Sequence, residues 1–100
     1  MLSVIEKARN EMEILGLQIE NERRLESIKR DLEQMGLKVK YRVGQGSASR
    51  NIIEFAEQEE VGLIFMGTRG EGLIKNLPLG STAHAVARRA KRPLLLMPPR

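Results

Sequence analysis

Val61-Gly62-Leu63-Ile64-Phe65-Met66, followed at once by Gly67-Thr68-Arg69-Gly70, is the stretch on which the fold turns. The apolar run is too short for a typical helix and fits a strand buried on both faces. Such strands belong to parallel sheets with helices packed on each side. Working toward the C-terminus, Gly67 to Leu79 reads as a Gly-containing loop, and Gly80-Ser81-Thr82 opens a helix over about 80–91. Ala83, Val86, Ala87 and Ala90 give that helix one apolar face. Ser81 and Thr82 are its expected N-caps. Pro93-Leu94-Leu95-Leu96-Met97 is then a last strand, 93–97, stopped by Pro98-Pro99.

Toward the N-terminus, Leu37-Lys38-Val39-Lys40-Tyr41-Arg42-Val43 alternates apolar and basic residues, the period of a strand with one wet face. Gly44-Gln45-Gly46-Ser47 punctuates it. A dinucleotide fingerprint would need a third glycine at position 49, which is Ser, so this is a strand-to-helix turn. The following helix, 48–59, carries Ile52, Ile53, Phe55 and Ala56, with Ser47 or Ser49 to cap it. Residues 22–35 set Leu25, Ile28, Leu32 and Met35 on one stripe of a charged helix, with Asn21 as N-cap and Gly36 as stop. The first twenty residues carry two periods. Ile5, Ala8, Met12, Leu15 and Ile19 fit a helix, whereas Leu15, Leu17 and Ile19 alternate as in a strand. A helix over about 2–35, broken near Gly16, is the preferred reading, with a strand at 14–19 as its alternative. Three strands (37–43, 61–66 and 93–97) alternating with helices predict a single α/β domain over residues 1–100, with right-handed crossovers in an open, Rossmann-like parallel sheet.

Composition bounds the function. One hundred residues make one small domain, and a hydrophobic share of 41% with only 3% aromatics and no Trp requires an aliphatic core. With no Cys there is neither a disulfide framework nor a thiolate metal site. No apolar run is long enough to span a membrane, and Met1-Leu2-Ser3-Val4 leads into charged residues rather than a secretory signal. The expected location is therefore the cytoplasm. Charge is uneven: residues 61–100 hold seven basic residues and one acidic, Glu71, whereas residues 1–60 hold ten basic and twelve acidic. A basic C-terminal half points to an anionic ligand or to a solvated helix face.

Open α/β sheets bind ligands beyond the carboxyl ends of their strands. Gly67-Thr68-Arg69-Gly70 lies there by sequence, and its glycines let backbone N–H groups approach an anion without Cβ obstruction. The helix opening at Gly80-Ser81-Thr82 adds the positive end of a helix dipole, which suits phosphate. Arg69 is a further candidate, weighed against an ordinary loop cation. His84, the only histidine, shares a polar helix side with Arg88 and lacks a partner for catalysis or metal binding. Arg88, Arg89, Lys91 and Arg92 form a basic end without the aromatic platforms of nucleic-acid binders, so nucleic acid is not the expected partner.

The glycine pattern carries a resemblance. Gly67, two residues, Gly70, nine residues, then Gly80-Ser81 resembles in full the motif of ATP-binding universal stress proteins. The flanking Ile-Phe-Met-Gly, the Arg92-Pro-Leu-Leu-Leu-Met stretch and Gly36-Leu-Lys-Val-Lys-Tyr-Arg-Val also fit that family, over roughly residues 22–97. The resemblance implies ATP or AMP as ligand, with Mg2+ admissible beside ATP. It implies contacts from Met66, Gly67, Thr68, Arg69, Gly70, Gly80, Ser81 and Thr82. It also implies a homodimer or larger oligomer through residues 93–97. Two departures stand out. The family's first strand ends in an Asp at the nucleotide, yet residues 1–20 contain no Asp, and Pro78 replaces a usual aliphatic residue. In the family order 3-2-1-4-5, the first strand–helix–strand is then absent. The gap beside 61–66 would be closed by rearrangement, by another chain or by residues 14–19. The leading reading is an adenine-nucleotide-binding stress-response module without strong catalysis, with weak ATP hydrolysis at most. The other is a self-associating interaction module whose nucleotide site is incomplete.

Overall fold

The computed structural model describes residues 1–67 and 80–98. Along the chain run β1 (Leu2–Ile5), α1 (Glu11–Gln34), β2 (Arg42–Gln45), α2 (Ala48–Gln58), β3 (Ile64–Gly67), α3 (Ser81–Arg89) and β4 (Leu94–Met97). The expected α/β alternation with parallel strands is present, in two units, Met1–Ala48 and Ser49–Arg100.

In the first unit β1 pairs in parallel with β2, from Leu2 opposite Arg42 to Ile5 opposite Gln45. The helix expected from residue 2 therefore starts at Glu11, and Leu2–Ile5 is a strand. The start is fixed by Asn10 as N-cap, not by Asn21, the cap expected for residues 22–35. Asn10 is extended, and its Oδ1 accepts a 2.9 Å hydrogen bond from the Glu13 N–H. Asn21 instead sits inside the helix, donating to the Leu17 carbonyl at 2.8 Å and accepting from the Ser3 hydroxyl at 3.0 Å. It thus ties α1 to β1 with a polar contact in a partly buried position.

The helix does not break at Gly16, and residues 14–19 are helical. The face that packs carries Ile14, Leu17, Asn21, Leu25 and Leu32, and Leu25 is buried. Met12, Leu15 and Ile19, which carry the helical spacing of the N-terminal residues, are exposed. Gly36 ends the helix as expected, with φ +91°, and the Leu37 N–H reaches back to the Leu32 carbonyl at 3.2 Å.

The strand expected at 37–43 is shifted to Arg42–Gln45. The physical reason is its partner: pairing with β1 begins at Leu2 opposite Arg42, and residues 37–41 precede that register. In the strand order implied by the family resemblance, the neighbour of this strand is the family's second strand. Leu2–Ile5 takes that place, so one strand of the segment expected to be absent is present.

In the second unit β3 and β4 pair in parallel, Ile64 opposite Leu94 through Gly67 opposite Met97. Ala56 from α2, Ile64 from β3 and Val86 from α3 form the buried core, lined by Ile52, Val61, Met66, Ala90 and Leu94. Arg92 follows α3 rather than ending it. Its guanidinium meets the Glu57 carboxylate at 3.2 Å and donates to the Val61 carbonyl at 3.4 Å. The expectation that the 61–66 strand is buried on both faces is corrected: Ile64 is buried, and Phe65 faces solvent. Among the described residues, the two pairs are separate two-stranded sheets, giving four strands rather than three.

Two substitutions test these assignments by urea unfolding. Nothing lies within 4 Å of a Cβ added at Gly16, so Gly16→Ala stabilises the chain by up to about 1 kcal/mol if α1 is continuous. Destabilisation would mean that the helix breaks there. Val86→Ala removes two methyl groups from a fully buried site and costs about 2 kcal/mol.

Candidate functional site

The candidate site starts from a strand end and a helix start within one unit. β3 runs out at Gly67, with Met66 half-buried before it. α3 begins at Ser81 and returns to β4, which is parallel to β3. A helix crossing between parallel strands runs antiparallel to them, so its N-terminus lies at the end where β3 finishes. Topology alone thus brings Met66 and Gly67 to the same end of the sheet as Gly80, Ser81 and Thr82. Thr68, Arg69 and Gly70, the remaining sequence-derived candidates, lie outside the described residues, as does Pro78.

The helix start has a specific chemistry. Gly80 is the N-cap, extended at φ −67° and ψ 160°, and it is buried. Its carbonyl accepts the first helical hydrogen bond, from the His84 N–H at 2.9 Å. It has no side chain with which to cap, so neither Ser81 nor Thr82 is the cap that the sequence reading assigned. They are instead the first two helical residues, Ser81 exposed and Thr82 half-buried. The first turn of any helix presents N–H groups without intrahelical acceptors. Here no acidic side chain stands in that first turn, while Arg88 and Arg89 occupy the last. The N-terminal end is therefore left electropositive, with two hydroxyl groups beside it, and that combination favours a phosphate or another anion.

Other candidates sort themselves by position. His84 is exposed on α3, and no group of three or more potential metal ligands occurs among the described residues. Gly46, with φ +92°, makes the turn from β2 into α2 that its sequence implied. Arg92, read from the sequence as part of a basic helix end, is engaged with Glu57 and with the backbone before β3, and so braces the strand that leads to the site. No sequence signal marked that role, because the pairing spans 35 residues.

Comparison with known proteins agrees with this fold. The model of the universal stress protein family matches residues 2–98. Universal stress protein MJ0577 of Methanocaldococcus jannaschii is 35% identical over 78 residues, which are 78% of this chain and 48% of that protein. Universal stress protein YxiE of Bacillus subtilis is 30% identical over 93 residues, covering 93% of this chain and 60% of its own. The solved structure of MJ0577 superposes with a TM-score of 0.84 at 31% identity, covering 99% of this chain and 74% of that one. The chain thus spans about half the length of the first curated relative.

Proposed function

Because the chain belongs to the universal stress protein family, we propose that it is an adenine-nucleotide-binding stress-response or regulatory module without strong catalysis. ATP or AMP is its ligand, with Mg2+ accompanying ATP, and the nucleotide phosphates lie against Gly67, Thr68, Arg69, Gly70, Gly80, Ser81 and Thr82, with Met66 beside them. The observation that carries this reading is the start of α3: a buried glycine N-cap without a side-chain cap or an acidic first turn, at the end of the Gly67/Gly70/Gly80-Ser81 spacing. The site supplies positioning and charge stabilisation. An acid–base pair for rapid hydrolysis is not part of the reading.

On the same reading the module is cytoplasmic and forms a homodimer or larger closed oligomer through residues 93–97. No described helix is long and apolar enough to cross a membrane. Support for assembly comes from β4, a wholly apolar strand paired on one side with β3. Such an edge invites another strand, and isologous pairing is the commonest solution. The apolar edge also favours the second reading, a self-associating module whose nucleotide site is incomplete.

Calorimetry separates the two. On the nucleotide reading ATP or AMP binds more tightly than adenosine, and Gly80→Asp removes the difference by placing a carboxylate where phosphate belongs. Ser81→Ala weakens nucleotide binding by roughly 1–3 kcal/mol, the scale of a charge-assisted hydrogen bond, while the Gly80 cap leaves helix stability unchanged. Equal affinity for nucleotide and nucleoside contradicts the phosphate assignment. For assembly, sedimentation equilibrium at micromolar concentration yields a dimer or a larger closed oligomer; a well-folded monomer contradicts it.

A further inference from the structure

α1 carries two apolar stripes, and only one of them packs within its unit. Ile14, Leu17, Leu25 and Leu32 lie on the packed face. Met12, Leu15 and Ile19 lie on the opposite side, as the helical repeat requires. Met12 is 85% exposed, Leu15 58% and Ile19 47%. A helix side meant for water is polar. Three large apolar residues on successive turns of that side mark a contact surface.

The residues that continue the stripe decide what it fits. Met12, Leu15, Ile19, Glu22 and Glu26 follow one 3-4-3-4 spacing, the seam along which a second helix lies. Its first three positions are apolar, and its last two are acidic and exposed. Glu11, Glu13, Glu20 and Glu22 are the charged residues of the stretch 11–22, so the apolar part has a wholly acidic surround in a chain of net charge +4. A second copy of α1 is a poor match. Laid parallel, it sets Glu22 and Glu26 against their own counterparts. Laid antiparallel over the same seam, it sets those carboxylates against Leu15 and Met12. The first arrangement repels and the second buries unpaired charge. An anionic membrane surface meets the same repulsion. The complement is a helix with apolar residues at this spacing and Lys or Arg at the positions that continue it.

We propose that the Met12–Leu15–Ile19–Glu22–Glu26 seam is a docking surface for a cationic amphipathic helix of another protein. Apolar contact supplies the affinity, and the two carboxylates set the register and turn away acidic partners. None of the five residues belongs to the phosphate site, so this proposal and the nucleotide reading stand or fall separately.

The test titrates the hundred-residue chain with a synthetic helical peptide of about 20 residues, followed by calorimetry and amide hydrogen exchange. The peptide carries leucines at 3-4 spacing in one half and lysines at the continuing positions in the other. The expected result is a saturable equimolar complex with slowed exchange across residues 11–26. Leu15→Gln weakens it by about tenfold or more, the scale of a lost buried side chain. Its circular dichroism stays that of the parent, because Leu15 is exposed and off the packed face. Met35→Gln, at an exposed methionine beyond the seam, leaves binding unchanged. The double change Glu22→Lys with Glu26→Lys weakens binding of the lysine peptide and admits a peptide with glutamates in place of the lysines. Absence of binding overturns the proposal. So does equal binding of the lysine and glutamate peptides by the parent, binding insensitive to Leu15→Gln, or self-association of the chain that Leu15→Gln abolishes.

Discussion

The contact among Val86, Ala56 and Ile64 is the constraint on which the second unit depends. Two helices and a strand meet there through side chains no larger than isoleucine, and Val86 is completely shut off from water. Small residues let the helices lie close to the sheet, and close packing fixes the axis of α3. Fixing that axis also fixes where its N-terminus emerges. Gly80 can therefore act as a buried cap at the strand ends without any side chain to hold it. The core and the candidate phosphate site are thus two ends of one helix. Arg92 adds to the same frame by joining Glu57 to the backbone ahead of β3.

Much of this unit was legible in the sequence because its signals are local. The apolar run at 61–66, the glycines after it and the Ala83–Val86–Ala90 spacing each specify one element, and the elements appear within a few residues of their expected bounds. The cap was misjudged for a physical reason. Ser81 and Thr82 are good capping residues, but the chain turns one residue earlier, where glycine takes the extended conformation. Exposure of Phe65 was not legible either, since a sequence shows that a face is apolar and not whether anything covers it.

The first unit shows the opposite case. Leu2–Ile5 is a four-residue strand, and four residues cannot display a period strong enough to oppose the helical spacing that continues through Met12, Leu15 and Ile19. Those three exposed residues do lie in the helix, which begins only at Glu11, while the packed face runs through Ile14, Leu17, Asn21 and Leu25. Asn21 is instructive. Its side chain is a natural cap, and it is used instead to bridge Ser3 and the Leu17 carbonyl. A partner eighteen residues away decides its role, and no local rule anticipates that. The strand partner of β2 was hidden for the same reason, and with it the register that shortens the 37–43 strand.

The central claim is that phosphate is held at the start of α3. It is tested most directly by following the backbone amide resonances of Gly80, Ser81 and Thr82 while ATP, and separately adenosine, is added. The account predicts saturable shifts at these three amides with ATP and much smaller ones with adenosine. Shifts that spare this helix start, or that are the same for both ligands, would contradict it.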